Sequence, residues 1–159
     1  MKQCSQNYYG NRWQNGSGHL GVSYDPATWQ PVAQYSCATQ VDAEEAITAA
    51  RYAFDNGTWP HQPRLRAEIL YEFAERLQAR MQEIEPWLVQ LNGKLIKEAR
   101  GEIGAAISEL KYYAGLTRNL WGRVAEIDDG CYSMIAREGA GLVGIIVPWN
   151  APVTLLIRS

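Results

Sequence analysis

At 159 residues, 47% of them hydrophobic and 20% charged, the chain is long enough for one globular core. A net charge of −2, with Lys and Arg scattered among Asp and Glu, excludes a basic nucleic-acid footprint. The six Trp and nine Tyr fall at irregular spacing, so they read as core, turn or interface residues rather than as a platform for stacking bases.

The opening Met1-Lys2-Gln3-Cys4-Ser5-Gln6-Asn7 holds no apolar stretch of a secretory signal, and no run approaches the length of a bilayer, so no membrane partner is expected. Cys4, Cys37 and Cys131 are odd in number and far apart, which fits a reducing cytoplasm better than a disulfide scaffold. His19 and His61 are isolated from one another and from any Cys in sequence. They read as surface or turn residues, and no metal site is expected.

Residues 6–36 predict short strands broken by turns at Asn15-Gly16-Ser17-Gly18 and Asp25-Pro26-Ala27-Thr28, with a strand over 32–35. Thr39 with Asp42 three positions on predicts a capping box. The helix it opens carries Ala43, Ala46, Ile47, Ala50 and Phe54 on one face, and Gly57 is expected as its left-handed stop. Pro63 suits the first position of a second helix, where Leu65, Ile69, Phe73, Leu77 and Met81 recur every four residues and predict a buried stripe. Pro86 predicts a break near it, followed by a short helix ending at Asn92-Gly93.

A third long helix is predicted from about Lys97 to Leu120, with Ala99, Ile103, Ala106, Ile107, Leu110, Tyr113 and Ala114 as its apolar stripe. Gly101 and Gly104 weaken it by about 1 kcal/mol each relative to Ala and are expected to mark close packing. Glu98, Glu102 and Glu109, at spacings of four and seven, read as a solvated face. Beyond Gly122, residues 123–127, the turn Asp128-Asp129-Gly130 and residues 131–137 predict a β-hairpin. Leu142 to Val147 is apolar on both faces, as a central parallel strand covered by helices would be, and 151–159 open another helix. Gly139-x-Gly141-x-x-Gly144 has the spacing of a dinucleotide fingerprint but precedes its strand instead of following one, which excludes it.

Several segments carry a resemblance when taken in order. They are Tyr8-Tyr9-Gly10-Asn11-Arg12-Trp13, Asp25-Pro26-Ala27-Thr28, Phe54-Asp55-Asn56-Gly57-Thr58-Trp59, Arg64 to Leu70, Asn92-Gly93-Lys94, Tyr112-Tyr113-Ala114-Gly115, Arg137-Glu138, and Gly141 to Pro152 with its Pro-Trp-Asn-x-Pro. Together they resemble the N-terminal third of an NAD(P)-dependent aldehyde dehydrogenase. Trp29 departs from that pattern where a turn Gly is usual, and Ala151 where a bulky aromatic is common.

The resemblance implies an α/β fold, present as its N-terminal part and incomplete as an isolated domain. Residues 1–122 would belong to the cofactor-binding domain, 123–140 to an oligomerisation hairpin, and 141–159 to the first nucleotide-domain strand and the next helix. It also implies oxidation of an aldehyde to an acid. A Cys thiolate attacks the aldehyde, hydride passes to the nicotinamide, and a Glu acts as general base in hydrolysis of the thioester. In that scheme Asn150 is the amide of the oxyanion hole, and Ile146, Val147, Pro148 and Trp149 line the NAD or NADP site of the complete enzyme. From its own tripeptide, Asn150 is only a turn residue at a strand end. Cys37 and Cys131 precede the position expected for the nucleophile and read as small packing residues. The isolated chain is therefore expected to be inactive and to bind no cofactor. The other reading is a non-catalytic interaction module, or a gene remnant, pairing with a full-length relative or with itself.

Overall fold

The computed structural model describes residues 2–159. The Cys4 side chain considered above lies outside the described residues, as does Met1. Five short strands come first, at β1 (Lys2–Ser5), β2 (Asn7–Tyr9), β3 (Arg12–Gln14), β4 (Leu20–Tyr24) and β5 (Pro31–Ser36). β5 lies in the middle of a three-stranded sheet, parallel to β1 and antiparallel to β4, while β2 and β3 form a separate hairpin. The loop residues of that hairpin, Gly10 and Asn11, take φ of 59° and 62°, the left-handed conformation a two-residue hairpin needs. In the turn between β4 and β5, the Asp25 side chain accepts the Ala27 N–H at 2.8 Å. Trp29 there also holds a left-handed φ of 57°, at the position where the resemblance anticipates a Gly.

Helix α1 (Gln40–Asn56) begins as predicted, with the reciprocal capping box between Thr39 and Asp42. Asp42 does more than cap. Its Oδ2 accepts from Ser17 Oγ at 2.7 Å, Thr39 N at 2.7 Å and Ser17 N at 3.0 Å, and Tyr9 Oη donates to Oδ1 at 3.3 Å. The Ser17 hydroxyl above all, with the Thr39 and Ser17 backbone N–H groups, holds this carboxyl far below the usual carboxylate range. Two expectations for α1 fail. Gly57 stops it in an extended conformation, in which a Cβ would lie 2.3 Å from the Ala53 carbonyl oxygen, so glycine is needed there for space and not for a left-handed φ. The Ala43–Phe54 face is not buried: Asp42 is the only buried residue of the helix, and Ala43, Ile47 and Ala50 are exposed, because no helix packs closely on α1 among the described elements and the short β2 covers little of it.

After a 3₁₀ turn (Trp59–His61) come α2 (Pro63–Ala79), α3 (Met81–Asn92) and α4 (Ile96–Leu116). Pro63 is the first residue of α2, as expected. Its buried seam, however, runs Ala67, Leu70, Ala74, Leu77 and on to Met81, whereas Ile69 and Phe73 are 41% and 46% exposed. A row at a constant spacing of four drifts about 40° per step around a 3.6-residue helix, so a straight seam alternates threes and fours. The chain breaks at Arg80, six residues before Pro86. Pro86 sits inside α3, where packing on α4 offsets the backbone hydrogen bond it cannot donate. α3 ends as predicted, with Gly93 at φ 78° and its N–H on Val89 O.

α4 buries Ala99, Ile103, Ala106, Ile107, Leu110 and Ala114 of its expected stripe, and ends four residues sooner than expected. Nothing lies within 4 Å of a Cβ at Gly101 or Gly104, so close packing is not what places glycine there. The hairpin forms as β6 (Arg123–Asp128) and β7 (Cys131–Ile135), exposed throughout. Residues 142–147 are not a strand. No described strand pairs with them, and an extended segment without a partner satisfies no β-ladder; Ile146 is 97% exposed. The chain ends with α5 (Pro152–Arg158). The core is helical: Ala74, Leu77, Leu88, Ala99, Ile103, Ala106, Ile107 and Leu110 are buried together, with Val153 and Ile157 of α5 packed on them. Among the described residues no helix is long and apolar enough to cross a membrane.

Because the folded-state value of Asp42 is depressed, its stabilising effect is complete above the ordinary carboxylate pKa and is lost as pH falls through the depressed one. Asp42→Asn therefore lowers the urea midpoint at neutral pH, and the gap from the parent chain narrows on acidification to about pH 2. Urea titrations at both pH values check this; a gap independent of pH would contradict it.

Candidate functional site

The turn Pro148-Trp149-Asn150-Ala151 is held from outside by the corner between α3 and α4. Asn92, the last residue of α3, donates from Nδ2 to the Trp149 carbonyl at 2.6 Å. Lys94 donates from Nζ to the Asn150 carbonyl at 2.9 Å and is ion-paired with Glu102 on the second turn of α4. The Lys94 and Glu102 side chains are 10% and 5% exposed. The other Glu102 oxygen, Oε1, accepts the Val153 N–H at 2.8 Å, so a carboxylate of α4 caps the first turn of α5. Thr154 then donates from Oγ1 to the Glu102 backbone carbonyl at 2.9 Å. Further along, Arg158 of α5 donates to Glu109 at 2.9 Å.

The corner is itself fixed. Glu85 of α3 is buried and receives both Nε and Nη2 of Arg100, at 3.0 and 3.1 Å. Gly93 makes the turn between the helices, and Pro26 of the β4–β5 turn sits 2.7 Å from where its Cβ would be. The left-handed φ and this contact together account for glycine at that position.

Within this frame Asn150 is exposed. Its carbonyl is engaged by Lys94, while its side-chain amide makes no hydrogen bond among the described residues. Trp149 and Ile146 are exposed, Val147 is half-buried, and Pro148 is exposed. The five expected site residues thus form one continuous accessible stretch, with its backbone anchored at 149, 150 and 153. Cys37 and Cys131 lie elsewhere. Cys131 follows the hairpin turn and is exposed. Cys37 Sγ lies 3.6 Å from His19 Nε2, so His19 does have a thiol neighbour, brought close by the β4–β5 pairing and not by sequence. Among the described residues no group of three or more His, Cys, Asp or Glu is arranged to hold a metal ion.

Glu102 corrects the sequence reading most sharply. It belongs to a buried network and not to a solvated face. The signal was present: Glu102 falls three residues after Ala99 and next to Ile103, inside the apolar stripe, where an unpaired carboxylate is costly. Lys94 and Asn92 offered no comparable signal, because the turn carbonyls they hold lie more than fifty residues away.

A model of the aldehyde dehydrogenase family matches residues 13–159. Malonate-semialdehyde dehydrogenase 2 of Bacillus anthracis is 33% identical over 153 residues, covering 95% of this chain and 31% of that protein. Aldehyde dehydrogenase 1 of Tanacetum cinerariifolium is 35% identical over 141 residues, covering 87% and 28%. The solved structure of an NAD-dependent aldehyde dehydrogenase from Sinorhizobium meliloti superposes with a TM-score of 0.91 at 31% identity, covering 99% of this chain and 32% of that one. The chain spans about a third of the length of the relatives it matches.

The corner makes a direct prediction. Gly93→Ala forces a side chain into the left-handed region and against Pro26, and costs about 1–2 kcal/mol from the backbone alone. The urea midpoint falls accordingly with an unchanged denaturant slope; an unchanged midpoint would sink the assignment.

Proposed function

The chain belongs to the aldehyde dehydrogenase family, and on that premise we propose that it carries the oxyanion-hole side of an NAD(P)-dependent aldehyde-oxidising site. The observation that carries this reading is Asn150: an exposed amide with no internal partner, on a turn whose backbone is fixed. In such a site the Asn150 N–H is aimed at the aldehyde oxygen and strengthens its bond as negative charge develops there, without reorganising. Ile146, Val147, Pro148 and Trp149 present a continuous, largely accessible surface beside it, whose apolar character suits the wall of a nicotinamide site. The cofactor, when bound, accepts the hydride; these residues shape its surroundings and keep water out.

The parts are assigned as 1–122 to the cofactor-binding unit, 123–140 to an oligomerisation hairpin, and 141–159 to the start of the nucleotide domain. By itself the 159-residue chain oxidises no aldehyde. Its Cys37 thiol faces His19, its Cys131 thiol sits on the hairpin, and Glu102, the carboxylate nearest the turn in this network, is occupied by Lys94 and Val153.

One observation favours a second reading. Val124, Ile127, Tyr132, Met134 and Ile135 of β6–β7 are all exposed, and among the described residues neither outer edge of the hairpin is paired. Such edges suit pairing with a second copy or a longer relative.

Two experiments separate these readings. In an enzyme containing this segment, Asn150→Ala lowers kcat about 10²–10³-fold, equivalent to about 2.7–4 kcal/mol of transition-state stabilisation, and leaves KM nearly unchanged. Steady-state kinetics would refute the oxyanion role if kcat stayed at the parent value. For the interaction reading, a tagged chain retains a longer relative on co-purification and loses it when residues 123–137 are deleted; retention after deletion discards that reading.

A further inference from the structure

The buried polar groups of α4 have no part in the chemistry assigned above, yet they converge on its key residue. Four contacts from α3, α4 and the turn between them hold the six-residue span from Trp149 to Thr154: Asn92 on the carbonyl of 149, Lys94 on that of 150, Glu102 Oε1 on the N–H of 153, and the Glu102 backbone carbonyl on the hydroxyl of 154. They bracket Asn150 on both sides, so its Cα–Cβ direction is fixed relative to α4 although its side-chain amide makes no hydrogen bond among the described residues. A turn closed only by its own short helix would leave that direction free, because seven residues form too little helix to persist alone.

We infer that Lys94 and Glu102 are positioning residues for Asn150, acting as a buried clamp that fixes the direction of its amide from α4. The inference rests on the reading of Asn150 as the oxyanion donor. Each partner in the clamp has two tasks. Glu102 orients Lys94 with one oxygen and caps α5 with the other. Lys94 neutralises that carboxylate and spends a second N–H bond on the Asn150 carbonyl. Losing Lys94 therefore frees the Asn150 carbonyl and leaves the α5 cap on an uncompensated charge. The core seam of α4, from Ile103 to Leu110, is held by apolar burial against α2, α3 and α5 and does not need the ion pair.

The test is a ¹H–¹⁵N spectrum and amide-exchange series on the 159-residue chain, with no aldehyde or cofactor present. In Lys94→Met the Asn150 side-chain resonances shift toward random-coil positions. The Val153 amide exchanges about tenfold faster or more, as loss of a charge-assisted bond implies. Amides of Ile103, Ile107 and Leu110 keep their protection, and Lys94→Arg restores the Asn150 and Val153 signals. If Lys94→Met does not fold, Glu102→Gln is read at the same resonances; it keeps the volume and one acceptor while removing the charge that orients Lys94. Unchanged Asn150 and Val153 signals in the folded variants overturn the clamp, as does a uniform loss of protection along α4. Kinetics of Asn150→Ala test the oxyanion reading separately, so failure of one does not imply failure of the other.

Discussion

The Lys94–Glu102 ion pair is the contact that organises the rest of the described structure around Asn150. Both side chains are largely withdrawn from water, and desolvating two charges costs several kcal/mol per ion. A buried pair recovers this only when the remaining donors and acceptors are satisfied. Here they are used well: the second Glu102 oxygen takes the Val153 N–H, and Lys94 reaches the Asn150 carbonyl. The network therefore does little for net stability compared with an apolar pair of equal volume. Breaking it from one side is another matter, at about 3–5 kcal/mol for a buried charge left alone. That asymmetry favours geometry over stability as the reason for the pair.

The geometry depends in turn on where the core lies. Buried apolar residues are concentrated in α2, α3 and α4, with α5 laid along α4 through Val153 and Ile157. The N-terminal strands are tied to α1 through polar contacts of Asp42 with Ser17 and Tyr9, and meet this helical body at Pro26 against Gly93. The β6–β7 hairpin projects with every residue exposed. Local stability follows this distribution, highest along α4 and lowest in segments held by exposed backbone bonds. Asn150 is attached to the most stable part of the molecule, although it sits in an irregular turn.

Elements with local causes were legible in the sequence. The Thr39–Asp42 box, Pro63 at a helix start, the left-handed Gly93 stop, the α4 stripe and the Asp-Asp-Gly hairpin each follow from residues within a few positions of one another. What was not legible depended on partners distant in sequence. Whether the α1 face is buried depends on a covering element, and whether 142–147 is a strand depends on a neighbouring strand; periodicity reports neither. The α2 seam was missed for a smaller reason, since a spacing of four lies on a ridge that winds away from the contact. Asn150 and its apolar neighbours could be picked out, but the residues that hold the turn could not.

The places where local rules are broken are informative in their own right. A carboxylate occupies an apolar-stripe position at Glu102, and a run apolar on both faces stays unpaired from 142 to 147. A sequence consistent at every level would show neither, and such conflicts concentrate where function outweighs local preference. Both meet at the same turn: the unpaired run leads into Trp149 and Asn150, and Glu102 secures the residues just after them. The fixed end of the segment is thus the end that bears Asn150, and the unpaired end is the one that bears the apolar surface. The site proposed for Asn150, with one donor held still beside a planar cofactor, calls for that division.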